Sequence, residues 1–157
     1  MTMKSNSQTG FTVVELMIGI LSASILALAV GIILANAYRG WVRGLAVADM
    51  ERDASVAIHT LDLAVRGATN VVGGVTLTVY DTNGISRVFS TTGVAPRGSL
   101  LYSGMTLVNG RLVSFTNSVS AGMVSVTLTL SGIDQNNQDT GVRMGVTNMC
   151  IQARNVP

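Results

Sequence analysis

The stretch "GFTVVELMIGILSASILALAVGIILANA", residues 10–37, decides how this chain folds. Charged residues make up 11% of the whole chain, yet none occurs from Leu16 to Tyr38. As a helix, this run is roughly 35 Å long at about 1.5 Å per residue, and a bilayer's hydrocarbon core is about 30 Å thick. We therefore predict a membrane-spanning helix over residues 11–37.

The residues that follow the apolar run suit a membrane surface. Tyr38 and Trp41 have amphipathic rings, and Arg39 and Arg43 can extend their guanidinium groups towards water. Aromatic rings and basic side chains of this kind concentrate where a span leaves the hydrocarbon. These four residues are predicted to mark the membrane interface.

Helical spacing continues beyond the interface. Apolar residues recur every three or four positions and so share one face, while most charges fall on the other faces. The apolar residues are Val47, Met50, Ala54, Ile58, Leu61 and Val65. Gly67 supplies a stop signal. The pattern predicts one helix from about Phe11 to about Arg66, apolar all round in its first half and amphipathic from about residue 38.

The rest of the chain reads as strands joined by short turns. Two hairpins are predicted, one around "DTNG" (81–84) and one around Asn109-Gly110, followed by the alternating strand "MVSVTLTL" (123–130). A polar loop, "GIDQNNQDTG" (132–141), then leads to a last strand, "VRMGVTNMCIQAR" (142–154). Consecutive strands with short connections form antiparallel sheets. We expect an α+β fold in which the amphipathic half of the helix packs on an antiparallel sheet of about residues 71–157.

Glu15 is an acid at the edge of an apolar span. A central acid costs about 2.5–3.5 kcal/mol on insertion scales, so such residues usually have a partner. If the chain were cut between Gly10 and Phe11, the new α-amine would lie four residues before Glu15, at a helix end that already favours a carboxylate. That amine, from the same chain or a neighbour, would be a partner. The plain alternative is a tolerated acid at a helix end.

A ladder of small residues runs along the span. Gly19, Ala23, Ala27, Gly31 and Ala35 recur every four positions. Small residues at this spacing let helix backbones approach closely in lipid, although alanine and glycine are also common in spans. The ladder favours a helix-packing face that turns slowly around the helix.

The polar leader of residues 1–10, the sequence "GFTVVELMIG" and the apolar helix together resemble the class III signal of type IV pilins and pseudopilins. The resemblance implies that a prepilin peptidase cuts after Gly10, that Phe11 is N-methylated and that Glu15 serves assembly. It also implies a pilin-like fold and a structural role in a pilus or type II secretion pseudopilus. The implied partners are other pilin or pseudopilin subunits, the peptidase and an inner-membrane assembly platform.

Several features distinguish this chain from major pilins of that family. The span has no proline, and Cys150, the only cysteine, cannot close a disulfide loop. The turn Arg52-Asp53-Ala54 and the ending Arg154-Asn155 resemble W-type minor pilins and J-type minor pseudopilins. We expect a minor, initiating or tip subunit, with a major pilin as the alternative.

The resemblance also implies an orientation. It places the leader in the cytoplasm and residues 38–157 outside, anchored in the inner membrane by a single pass. A count of positive charges, with Lys4 before the span and Arg39 and Arg43 after it, gives the opposite orientation. We follow the resemblance because the leader must face the peptidase.

Other functions have weaker signals. Ala35-Asn36-Ala37 is an A-x-A site, so ordinary signal peptidase could release a secreted binding domain after Ala37. His59 and Asp62 share a helix face without a nucleophile nearby in sequence, and we predict no enzyme and no cofactor.

Metal and nucleic-acid sites are not expected either. Asp134, Asn136, Asn137 and Asp139 could offer oxygens to calcium, but they lack the EF-hand pattern, and a solvated turn is the simpler interpretation. The net charge of +2 is scattered along the chain, so no direct nucleic-acid contact is predicted.

Overall fold

The computed structural model describes residues 12–134 and 137–153. Those residues form one helix, α1 (Val13–Arg66), and one antiparallel sheet of seven strands. The strands are β1 (Asn70–Val72), β2 (Leu77–Tyr80), β3 (Ser86–Thr92), β4 (Gly98–Tyr102), β5 (Met105–Ser120), β6 (Met123–Ile133) and β7 (Asp139–Gln152). The chain divides between Trp41 and Val42 into two compact units, and the second contains the rest of α1 and the sheet. The α+β arrangement is confirmed.

The second half of α1 packs on the sheet through one stripe of small and apolar side chains. Its buried residues are Ala46, Met50, Ala54, Ala57, Leu61 and Val65. The predicted stripe contained four of these, whereas Val47 and Ile58 are only partly buried. Alanines occupy positions 46 and 57 of the buried stripe, where a small side chain lets the helix approach the strands more closely. As predicted, α1 ends at Arg66, and the Gly67 amide donates to the Leu63 carbonyl at 3.2 Å.

The sheet is a simple meander in which every strand pairs with the next one along the chain. The "DTNG" turn is confirmed: the Asp81 carboxylate accepts from the amides of Asn83 and Ile85 at 2.8 and 3.0 Å. Two tighter turns, Ser103-Gly104 and Ala121-Gly122, have positive φ at both residues, which matches the right-handed twist of the flanking strands.

The hairpin predicted at Asn109-Gly110 is wrong. β5 extends from Met105 to Ser120 without a turn at these residues. The register with β4 slips between the Gly98–Leu112 and Leu100–Val108 pairs, so the Asn-Gly sequence forms a bulge. Gly110 has φ of 64°, and its amide donates to Ser99 Oγ at 3.0 Å. A bulge bends a strand and strengthens its twist.

That bend gives β5 two sets of neighbours. Its first half pairs with β4 and its second half with β6. Two groups of buried side chains result. One surrounds Leu61 and Val65 near the end of α1 and includes Phe89, and the other surrounds Met50 and includes Leu100, Leu128 and Leu130.

The last two strands are longer than the sequence indicated. β6 continues to Ile133 and β7 starts at Asp139, so the predicted polar loop is short. Gly132 permits this close passage: a Cβ there would lie 2.6 Å from Thr140 Oγ1 and 3.3 Å from Ala46 Cβ. Asn136 and the ending Arg154-Asn155 lie outside the described residues.

Candidate functional site on the N-terminal helix

The first turn of α1 is held by a reciprocal pair, Thr12 and Glu15. The Thr12 amide and hydroxyl each donate to Glu15 Oε2 at 3.0 Å. In return, the Glu15 amide donates to Thr12 Oγ1 at 3.3 Å. This is a capping box, in which an N-cap threonine and an acid three residues later satisfy amides that the helix leaves unpaired.

The capping box gives Glu15 a role that sequence reasoning overlooked. The signal was present, since Thr12-Val-Val-Glu15 has the T-x-x-E spacing. Gly10 and Phe11 lie outside the described residues, so the pairing of Glu15 with a new amine stays a prediction. Both cap contacts fall on Oε2, which leaves Oε1 without a contact to the part of the chain that the structure describes.

The first half of α1 buries none of its apolar side chains. From Val13 to Leu34, the large apolar side chains are between 54% and 77% exposed. By length and composition, α1 could cross a membrane, and none of its most apolar stretch is covered by the described residues. An apolar surface of this length is stable only in lipid or against other proteins.

The small-residue ladder lies on this uncovered surface. A Cβ added at Gly19 or Gly31 would meet no atom within 4 Å. Ala27, Gly31 and Ala35, with Leu28 and Ile32 beside them, line a shallow apolar groove along the helix. Ala23 is likewise exposed. The ladder is therefore open to approach by another helix backbone.

The four residues predicted to mark the membrane interface follow on the same helix. Tyr38 and Trp41 are 60% and 61% exposed, and Arg39 and Arg43 are also exposed. The ladder and these four residues are neighbours only because they follow one another along α1.

A charged cluster in the second unit ties α1 to β5. Arg111 donates to Asp49 at 2.8 Å and to Asp53 at 3.3 Å, and its side chain is only 21% exposed. Burial raises the pKa of Asp53 despite the nearby guanidinium. The neighbouring Asp49 carboxylate adds to this rise in the pKa of Asp53. The cluster fixes the helix on the sheet.

A second cluster closes the end of the β6–β7 loop. Arg143 holds Asp139 through two bonds of 2.7 Å, and Asp139 also accepts from Ser131 Oγ and the Gly141 amide. The Arg143 guanidinium lowers the pKa of Asp139 well below its usual range. This carboxylate, considered above as a calcium ligand, is thus occupied by protein donors.

The His59–Asp62 pairing considered in the sequence does not form. Asp62 instead accepts from Arg66 Nε at 2.6 Å, one helical turn further along. No group of three or more histidine, cysteine, aspartate or glutamate side chains in residues 12–134 and 137–153 is placed to hold a metal ion.

Comparison with known proteins adds no relative. No family model, curated protein or solved structure matches this chain.

Proposed function

We propose that this protein is a structural subunit of a type IV pilus or a type II secretion pseudopilus, anchored in the inner membrane before assembly. One observation carries the proposal: a carboxylate, Glu15, sits at the start of a helix whose first half is apolar, long enough to span a bilayer and uncovered. The leader and the residues around Gly10 supply a processing site that fits this use. The resemblance to minor pilins favours an initiating or tip subunit.

The proposed assembly follows from the cost of an unpaired charge in lipid. After cleavage, the amine of Phe11 would begin the helix, and Glu15 would offer Oε1 to the amine of a neighbouring subunit. One apolar helix would slide along another until the two charges meet, since any other register leaves both unpaired. The ladder from Gly19 to Ala35 would then let the backbones lie close together.

The first experiment determines the N-terminus of the membrane-extracted protein by intact mass and terminal sequencing. A start at N-methylated Phe11 is expected, and substitution Gly10→Val is expected to leave the full leader in place. A start at Tyr38 would contradict the proposal and favour a domain secreted by ordinary signal peptidase. Cleavage at that point would cut through the middle of α1, between Ala37 and Tyr38.

A second experiment separates assembly from helix capping. Glu15→Gln removes the charge but keeps an acceptor for the capping box, whereas Thr12→Val breaks the box and keeps the charge. If Glu15 pairs with a neighbour's amine, Glu15→Gln should lower incorporation into sheared filaments roughly tenfold, the usual scale of a lost charged hydrogen bond. Thr12→Val should have a small effect. A loss in Thr12→Val as large as that in Glu15→Gln, or full incorporation of Glu15→Gln, would contradict pairing of Glu15 with a neighbour's amine.

A further inference from the structure

One short segment of α1 lies beyond the apolar run and buries little against the sheet, where only Val42 and Leu45 border a groove shared with Arg111 and Ile133. The apolar run ends at Ala37, and the first buried residue of α1 is Ala46. Between them, every side chain from Tyr38 to Leu45 is exposed except the half-buried Val42. Tertiary packing provides most of the stability of helices in proteins, so a helix in this position depends largely on its own propensity.

Two glycines lie in this segment, Gly40 and Gly44. A Cβ at either position would meet nothing within 4 Å, so no close contact with described residues requires a glycine. Both residues are helical, and their φ angles lie outside the left-handed region. Neither packing nor backbone conformation therefore explains them. What glycine does change is stability, because it loses more conformational freedom than alanine when a helix forms.

We propose that Tyr38–Leu45 is a built-in hinge, a segment of α1 that opens locally while the helix on both sides stays intact. The inference rests on the membrane anchor of the proposed function and is independent of filament assembly. When the segment opens, the angle at which the helix leaves the bilayer could vary. The packing of Ala46 and Met50 against the sheet would stay unchanged.

The same two glycines have a competing use. Gly40, Gly44 and Ala48 are spaced four residues apart, as in small-xxx-small contacts between helices. A contact of that kind would protect the segment, whereas a hinge leaves it open. The two uses predict opposite rates of amide hydrogen exchange.

The test is hydrogen exchange by mass spectrometry on the full chain in lipid nanodiscs. In the unsubstituted protein, amides of residues 40–46 are expected to exchange much faster than those of residues 50–61. The double variant Gly40→Ala/Gly44→Ala should slow exchange in the segment about 25-fold, which corresponds to about 2 kcal/mol of opening free energy. Ser24→Ala is the control: Ser24 is exposed, lies within the span and outside the ladder, and its substitution should leave exchange of residues 40–46 unchanged.

Two results would overturn the hinge. One is slow exchange of residues 40–46 in the unsubstituted protein, comparable to residues 50–61, which would indicate a helix contact. The other is unchanged exchange in the double variant. Loss of the anchor would be seen separately, because peptides from residues 12–37 would then be missing from the same data.

Discussion

The two halves of α1 are both rich in apolar residues but have opposite environments. In the first half, Leu21 is 63% exposed, and in the second, Leu61 is 1% exposed against the sheet. The second half shows a polar side because the protein supplies its apolar partner on one face only. The first half has no such side, so its partner must lie outside the described chain on all faces. The difference teaches that an apolar stripe with a 3.6-residue period indicates a partner within the same chain, whereas a helix that is apolar all round indicates a partner outside it.

The largest expected effect distinguishes the two halves directly. Leu61→Ala should lower the free energy of unfolding of the sheet-bearing unit by about 3 kcal/mol, because it leaves a cavity beside buried Val65 and Phe89. Leu21→Ala should leave it unchanged. Chemical denaturation of the full chain in detergent, followed by a signal from the sheet, measures both. A comparable loss for Leu21→Ala would mean that the first half also packs on this unit.

A smaller effect is expected at Gly132, where β6 lies close to both the helix and β7. Gly132→Ala places a Cβ 2.6 Å from Thr140 Oγ1, and the strands must move apart to accept it. We expect a loss of about 1–3 kcal/mol, the usual cost of overpacking. Gly145→Ala, on the neighbouring strand with open space around it, serves as the control in the same denaturation experiment. Equal stability of the two variants would show that the sheet yields easily at Gly132.

The charged link between α1 and β5 should contribute less. Arg111→Met keeps most of the apolar stem and removes both contacts to the helix carboxylates. Because Asp49 is 53% exposed, we expect a loss of only about 1 kcal/mol. Arg66→Met, which breaks an exposed pair within the helix itself, should cost less than about 0.5 kcal/mol. A reversed order, measured by thermal unfolding, would contradict the view that the half-buried link holds the helix to the sheet.

The smallest expected effect concerns the pH dependence of stability, to which Asp139 and Asp53 contribute with opposite signs. The lowered pKa of Asp139 means that its stabilising contribution is present above its unfolded pKa of about 3.9 and is lost as pH falls below that value. The raised pKa of Asp53 has the opposite sign, so the folded state gains stability as pH falls through that pKa.

Unfolding of Asp139→Asn and Asp53→Asn measured from pH 7 to pH 3 checks both signs. Asp139→Asn should flatten the acid loss of stability, whereas Asp53→Asn should steepen it. Parallel curves for the two variants would mean that their environments do not differ as described.

Much of the fold could be predicted because its signals are local. The apolar run, the heptad-like stripe to Val65 and the Asp81 turn each depend on neighbouring residues only. The bulge at Asn109-Gly110 could not be predicted, since the same dipeptide suits a two-residue turn, and only the pairing of β5 with both β4 and β6 decides between them. Ala46 and Ala57 were missed because their burial depends on how closely the sheet approaches.

In the candidate site, too, features set by neighbouring residues could be predicted and contacts between distant residues could not. The exposure of the ladder follows from its place in an apolar run, and the structure agrees. The contacts of Glu15 with Thr12 follow from the T-x-x-E spacing and could have been predicted from it, whereas the expected partner was the α-amine of Phe11. The link of Arg111 to Asp49 and Asp53 joins residues about sixty positions apart, and no pattern in the sequence marks it.

The capping box at the start of α1 has a consequence for rates and affinities. A glutamate side chain loses up to about 2 kcal/mol of rotamer freedom when it is fixed in one position. Thr12 has already fixed Glu15 before any partner arrives, because Oε2 accepts from the Thr12 amide and hydroxyl, while Oε1 has no contact with residues 12–134 and 137–153. A cationic group that approaches the helix end therefore meets a carboxylate that needs no further ordering. Preorganisation of this kind strengthens an encounter without adding a single contact.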